Sequence, residues 1–309
     1  MIYTVTYNPS LDYRARLDAI EWGAVNRAAE TQLRCGGKGI NVSIVLTRLG
    51  VQNIALGFLA GFTGDAVERE LRRMGVQTDM IRLQSGMTRI NLKLCDARET
   101  EINGTGPCPD GDALAVLERK LSALGPHDTL VLAGSLPAGM PPGTYGTVLA
   151  SLAGRGVRTV VDAAGKTLWN ALCHRPFLVK PNREELSGLV GRDLHGKEEI
   201  IDGARSLQAQ GARNVLVSLG GDGALLLDEA GRVWACGAPR GTVRDSVGAG
   251  DSMVAGFLAE YLRSGDAEAA LHMGVAAGSA TAFCDGLAGR EQILALWKQV
   301  REQACRVNF

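Results

Sequence analysis

The chain has 309 residues, 46% of them hydrophobic, enough to bury a large core in one α/β domain with or without a small appendage. Its 33 basic and 33 acidic residues cancel, so the overall charge asks for neither nucleic acid nor a membrane surface as partner. No apolar run reaches the length of a membrane span, and "MIYTVTYN" alternates like a strand instead of showing the layout of a signal peptide, so a cytoplasmic protein is expected.

In chain order, short apolar runs predict strands at 2–7, 53–58, 129–135, 158–164, 176–182, 214–220 and 224–228. Helical spacing falls between many of them. Val67, Leu71 and Met74 recur at i, i+4 and i+7 in 65–74, with Gly75 as a stop. Ile200, Ala204 and Leu207 do the same in 198–210, with Gly211 as the stop. Strands apolar throughout are buried on both faces, and alternation with helices then implies a mainly parallel, doubly wound sheet.

Two stretches break the rhythm, 10–34 and 87–104. The second reads as a hairpin turning near Ala97 and Arg98. In it Arg89, Asn91 and Lys93 alternate with Ile90, Leu92 and Leu94, so period two puts a polar set on one face and an apolar set on the other. The polar face suits a charged ligand. The apolar face needs a partner, within the chain or in another subunit.

Seven scattered cysteines include no C-x-x-C pair, and the four histidines (His127, His174, His195, His272) show no metal-ligand spacing; reduced core thiols are the simpler reading.

Five stretches can carry chemistry. In "RDSVGAGDSMVAGF", 244–257, Gly248, Ala249 and Gly250 open an apolar helix, where free amides make an anion site. There is no lysine for a Walker A loop and no G-x-G-x-x-G. Asp251 in its mouth is either a plain helix cap or a functional acid, and a cap alone does not need the glycines. In "CGGKGINVSIVLTRLG", 35–50, Gly36, Gly37 and Gly39 precede a second helix. Lys38 adds positive charge and Asn41 can read hydroxyls; a loop with a solvated lysine is the alternative. In "VKPNREELSGLVG", 179–191, Asn182 and Glu185 share the first helical turn. They form either a capping box or a water shell around Mg²⁺. "VSLGGDGALLL", 217–227, is a tight hairpin or a phosphate approach, and the small-residue helix "GVAAGSATAF", 274–283, packs closely or borders a flat base.

Taken in order, "GGKGIN" (36–41), "AGSLPAG" (133–139), "KPNREEL" (180–186), "VSLGGDGA" (217–224) and "SVGAGDSMVAGF" (246–257) resemble the ribokinase-like, or PfkB, sugar kinases over nearly the whole chain. "TVTYNPSLDY" (4–13), "TRINLKL" (88–94) and "ETEINGTGP" (99–107) read like the 1-phosphofructokinase branch, with tagatose-6-phosphate kinases as near relatives. The resemblance implies a three-layer α/β core, 1–9, 35–86 and 105–309, with a small β-sheet lid, 10–34 and 87–104, through which two copies pair as a homodimer.

The activity it implies is ATP-dependent phosphorylation of fructose 1-phosphate at the 6-hydroxyl. The alternatives are tagatose 6-phosphate or fructose 6-phosphate as acceptor, or a sensor that keeps the fold without the reaction. In that reading Asp251 is the base, and Gly248, Ala249 and Gly250 form the anion hole. Asp12, Gly37, Lys38, Asn41, Arg89, Arg27, Asn103 and Ser135 hold the phosphosugar, with Lys93 as a further cation. Lys180, Asn182, Ser218, Gly220, Gly223, Ala276 and Gly278 serve the nucleotide. Asn182 and Glu185 act near Mg²⁺ through water, and a monovalent cation is a further candidate cofactor.

Overall fold

The computed structural model describes residues 1–96 and 99–307; the turn expected at Ala97 and Arg98 lies outside the described residues. The first half of the chain holds β1 (Ile2–Thr6), β2 (Ser10–Arg16), β3 (Glu30–Gly36), α1 (Lys38–Arg48), β4 (Asn53–Leu59), α2 (Gly61–Arg73), β5 (Gln77–Thr78), β6 (Ile81–Arg82), β7 (Arg89–Cys95), β8 (Glu99–Asn103), α3 (Gly111–Leu121), β9 (Thr129–Ala133) and α4 (Thr144–Ser151). The second half holds β10 (Arg158–Asp162), α5 (Gly165–Leu172), β11 (Leu178–Val179), α6 (Arg183–Val190), α7 (Lys197–Ala209), β12 (Asn214–Ser218), β13 (Ala224–Leu227), β14 (Val233–Cys236), α8 (Ala249–Ser264), α9 (Ala267–Ala282) and α10 (Arg290–Val307).

A ten-stranded sheet runs β14-β13-β12-β11-β10-β9-β1-β4-β5, with β6 also on β4. It is parallel from β12 to β5 and antiparallel only where β13 and β14 close one end. Its strands are apolar on both faces because both are covered. Leu130, Leu132, Val215 and Val217 pack with α3, α4, α5, α6 and α7, whereas Val131, Ala133 and Leu216 pack with α1, α8, α9 and α10. This is the three-layer, ribokinase-like α/β arrangement expected from the uninterrupted apolar runs.

The chain leaves β1 toward β4 on one side and reaches β9 on the other, so strand order reverses at β1. Ligand crevices of open α/β sheets form at such a point, outside the carboxyl ends of the strands. Thr6, Ser218 and the residues just past β9, β10 and β11 lie there.

β2, β3, β7 and β8 form a separate four-stranded sheet in the order β3-β2-β7-β8. Its register puts Asp12 opposite Arg34 and Asn91, and Asn91 opposite Asn103, on one face. The next register row places Leu33, Tyr13, Leu92 and Ile102 side by side on the other face. All four are exposed, at 56%, 37%, 36% and 51%. No helix among the described residues is long and apolar enough to cross a membrane.

Candidate active site

The cleft at the switch point measures about 830 Å³ and runs between the small sheet and the carboxyl ends of the main strands. A second cavity of about 780 Å³ adjoins it, and the two share Asn182, Ser218 and Gly250.

Gly248 stands at that junction as the N-cap of α8, with φ 78 and no side-chain cap. A Cβ on it would come within 2.6 Å of Leu287 Cδ2, so both backbone and space demand glycine. Asp251 lies in the first turn but does not cap the helix: its Oδ2 accepts a 2.8 Å hydrogen bond from Asn41 Nδ2 on α1. Burial, and after it the nearby Asp162 carboxylate, push Asp251 up to about 6, against the pull of Lys38, Asn41 and Lys180. The group is therefore still mostly ionised at neutral pH and poised to accept a proton.

Lys38 is not a solvated lysine. Its Nζ is 2.8 Å from Asp162 Oδ1 and 4.0 Å from Glu185 Oε1. Burial works against the ammonium, but Asp162, then Asp251 and Glu185, outweigh it and raise the Lys38 pKa. Lys180 Nζ lies 3.6 Å from the other Asp162 oxygen. The same Nζ is 3.2 Å from where a Gly250 Cβ would stand, so this ammonium faces the amides at the start of α8. Asp162 is fully buried. Burial alone would raise its pKa; Lys180 and Lys38 together hold it below the usual carboxylate value.

On the small sheet, Asp12 Oδ1 accepts hydrogen bonds from Ser10 Oγ at 2.6 Å and from Asn91 Nδ2 at 2.9 Å. Arg89 spends one nitrogen on Gly104 O at 3.3 Å, and burial lowers its pKa against the pull of Asp12. Four cleft-lining residues hold buried polar atoms with no hydrogen-bond partner among the described residues: Thr6 Oγ1, Asn8 Oδ1, Arg89 Nε and Asn91 Oδ1. Buried polar groups are rarely left so, and their gathering on one side of the cleft marks it as a polar site.

Asp12, Gly37, Lys38, Asn41, Arg89, Ser135, Lys180, Asn182, Glu185, Ser218, Gly248, Gly250 and Asp251 all border the cleft. Ser218, Gly220, Gly223, Ala249 and Gly278 border the second cavity. Arg27, Asn103 and Ala276 enter neither. Arg27 is exposed on the 17–29 connection. Asn103 shares the polar face of the small sheet but is exposed on its edge strand, within 3.4 Å of Glu101 Oε2. Ala276 is fully buried, because Val275, Gly278, Ser279 and Ala282 take the cavity-facing stripe of α9 at helical spacing. Lys93 pairs with Glu101 at 3.1 Å and lies outside the cleft lining.

Sequence reasoning passed over Asp162, Thr6, Asn8 and Asn91. Asn91 carries a signal in the period-two face it shares with Arg89, and Thr6 and Asn8 lie in the 4–13 stretch that carries the resemblance; Asp162 has none.

Asn182 and Glu185 do form the capping box of α6. Asn182 Oδ1 accepts from Glu185 N at 2.7 Å, and Glu185 Oε2 accepts from Asn182 N at 2.9 Å. Glu185 Oε1 is outside the box and lines the cleft side. Among the described residues no three acidic, histidine or cysteine side chains group as a metal cage. One carboxylate oxygen outside the box, 4.0 Å from Lys38 Nζ in a residue that borders the cleft, fits Mg²⁺, which keeps most of its waters and takes phosphate oxygens as ligands.

The Ala249 N–H is donated to Ser246 O at 3.2 Å, so of the three amides expected to form the anion hole that one is already engaged. A carboxylate and an ammonium beside the start of a helix, between two chambers, suit transfer of a phosphoryl group from one ligand to a hydroxyl of another. That makes the molecule a phosphotransferase of the sugar-kinase class. The chain belongs to the pfkB family of carbohydrate kinases, whose family model matches residues 6–292. It is 42% identical to the 1-phosphofructokinase of Bacillus subtilis, over 97% of this chain and 99% of that one. It is 36% identical to the D-tagatose-1-phosphate kinase of Bacillus licheniformis, over 93% and 94%. Phosphofructokinase-2 of Escherichia coli, solved in complex with substrates and products, superposes with a TM-score of 0.92 at 29% identity over 97% of this chain and 99% of that one. That protein has also been solved with potassium and in a tetrameric inhibited form.

Proposed function

We propose that the chain transfers the γ-phosphoryl group of ATP to the 6-hydroxyl of fructose 1-phosphate, giving fructose 1,6-bisphosphate and ADP. The observation that carries this reading is the position of Asp251, at the junction of two adjoining cavities, with Gly250 bordering both. The sugar occupies the cleft under the small sheet, which acts as a lid. Asp12 and Asn41 take its hydroxyls, and Lys38 and Arg89 take its phosphate. ATP occupies the cavity lined by Ser218, Gly220, Gly223 and Gly278. As the 6-hydroxyl attacks, its proton passes to Asp251, and the Gly248 and Gly250 amides with Lys180 meet the charge on the moving group. Mg²⁺, held by Glu185 and Asn182 through water, supplies neutralisation of the ATP phosphates when bound. Closure of the lid excludes water that would otherwise hydrolyse ATP.

The relative named for tagatose is a kinase of the 1-phosphate, so it shares with 1-phosphofructokinases the position of the phosphate already present. A panel of fructose 1-phosphate, tagatose 1-phosphate, tagatose 6-phosphate and fructose 6-phosphate tests the reading. Fructose 1-phosphate is expected to show the highest kcat/KM, and any other order overturns the assignment. Arg89→Ala is expected to raise KM for the phosphosugar by about tenfold, the worth of one charge-assisted contact, with kcat much less affected. An unchanged KM removes Arg89 from the phosphate site.

The protein works as a homodimer through the exposed row Leu33, Tyr13, Leu92 and Ile102, since a contiguous apolar band on a sheet face marks an interaction surface. Leu92→Glu is expected to halve the sedimenting mass while leaving the far-UV circular dichroism intact. A wild type that already sediments as a monomer contradicts the pairing. Among the described residues, the free thiols at Cys35, Cys108, Cys173, Cys236 and Cys284 suit a reducing, cytoplasmic setting.

A further inference from the structure

Behind the cleft, a third cavity of about 180 Å³ is lined by four cationic side chains, Arg14, Arg34, Arg48 and Lys93. It is not a second anion site, because each has a partner. Arg48 donates to the Leu287 and Ala288 carbonyls, and Lys93 pairs with Glu101. Arg14 and Arg34, from the two adjacent strands β2 and β3, converge on one carboxylate. Arg14 Nη1 and Arg34 Nη1 each lie 3.7 Å from Asp245 Oδ2, and Arg14 Nη1 is also 3.5 Å from Asp285 Oδ1.

Asp245 is split between two tasks. Its side chain is only 8% exposed. Its other oxygen, Oδ1, accepts the Val247 N–H at 2.9 Å and so folds the turn that delivers Gly248 to the start of α8. The neighbouring 284–289 connection takes part as well. Leu287 packs where a Gly248 Cβ would stand, and the Arg34 guanidinium lies 2.9 Å from where a Gly286 Cβ would stand. A continuous set of contacts thus runs from the small sheet to the backbone that presents the 248–250 amides.

We propose that Asp245 is a positioning residue for phosphoryl transfer: through Arg14 and Arg34 it ties the small sheet to the turn that aims the 248–250 amides. The inference rests on the kinase reading above. Asp245 touches no reacting atom; it makes the geometry of the anion hole depend on where the lid sits. With the lid displaced, Oδ2 loses its two guanidinium partners, and the turn keeps the Val247 bond and the backbone bonds from Arg244 N and Asp245 N to Ala282 O but no side-chain tie to the small sheet. Binding of sugar under the lid then favours the arrangement that accepts the phosphoryl group, so ATP is not spent on water.

The test uses the full chain at one ionic strength and one fixed concentration of monovalent cation. Three variants are compared: Asp245→Asn, the double Arg14→Gln with Arg34→Gln, and all three together. The double variant keeps Asp245 and its bond to Val247, so it answers even where Asp245→Asn does not fold. A kcat loss of about tenfold is expected in each, with ATP affinity retained, a higher ratio of ATP hydrolysed to sugar phosphorylated, and no further loss in the combination, as coupled residues require. Amide hydrogen exchange at 246–250, measured without substrates, is expected to speed up in the double variant. A double variant whose kcat stays within about twofold, additive losses in the combination, or exchange unchanged at 246–250 overturns the proposal. A wild type that phosphorylates no ketose phosphate sinks the kinase reading instead, and the exchange result still decides the tie.

Discussion

Asp251→Asn is expected to lower kcat by about a thousandfold, the middle of the range for a positioned general base, with ATP affinity nearly unchanged. Asparagine keeps the size of the side chain and a partner for Asn41 Nδ2, so what is lost is the capacity to take a proton. A comparable loss of ATP binding would instead mark Asp251 as a structural residue of α8. The pH dependence follows with a definite sign. Burial, then Asp162, put Asp251 at about 6, and the base acts only when ionised. Activity therefore reaches its plateau above pH 7 and falls about tenfold per unit below pH 6. The phosphate of the sugar also titrates near 6, so its effect is divided out by measuring sugar-phosphate binding directly at each pH. A corrected profile that is flat from pH 5 to pH 7.5 excludes Asp251 as the base.

Asp162→Asn is expected to be the most damaging single change to stability among the cleft residues. Asp162 lies fully buried between the Lys38 and Lys180 ammonium groups, at 2.8 and 3.6 Å. Removing the anion leaves the buried Lys180 and the cleft-lining Lys38 without the carboxylate that both are paired with, a change that costs about 3 kcal/mol. Chemical denaturation measures it. The loss depends on pH in a defined way. The two lysines hold Asp162 below its ordinary pKa, so its contribution is present above the unfolded value near 4 and disappears as the pH falls through the lower folded value. Wild type and variant therefore differ most at neutral pH and converge in acid. A second readout separates this role from simple packing. Asp162 is one of the causes that raise Asp251, so its loss moves the acid limb of the rate profile to lower pH. An unchanged denaturation midpoint together with an unchanged profile refutes both parts.

The two residues also mark the line between what the sequence reveals and what it hides. The glycines before α1 and α8 are legible because their signal is local: a run of residues without side chains directly before an apolar helical pattern. Asp251 is legible for the same reason. The strands are legible because burial on both faces leaves uninterrupted apolar runs. Asp162 is not. It stands at the end of one such run, where an aspartate looks like the first residue of a loop, and Lys38 is 124 positions away along the chain. Its role exists only once β10 lies beside β11 and α1 has come across the sheet. Asn91 fails differently. Its pairing with Asp12 spans 79 positions and depends on the parallel register of β2 with β7, which no local pattern specifies. Arg89 on that face stands out by its charge, whereas the neutral amide two residues on does not. Ala276 shows the opposite error: a stripe of small residues was recognised, but its phase around the helix was missed by one position.

The meeting of the two cavities at Gly250 has an evolutionary reading. In the proposed reading the sugar side is built largely from the small sheet and α1 and the ATP side from the 218–223 turn, α8 and α9, and the two linings meet at Asn182, Ser218 and Gly250. Most of each lining belongs to one cavity only, so mutations of acceptor-side residues away from that meeting point leave most of the donor side unchanged. A lineage can therefore exchange one ketose phosphate for another by drift in a few strands while its energy source stays constant, and relatives of similar identity that differ in the sugar of their names are the expected product of such a scaffold.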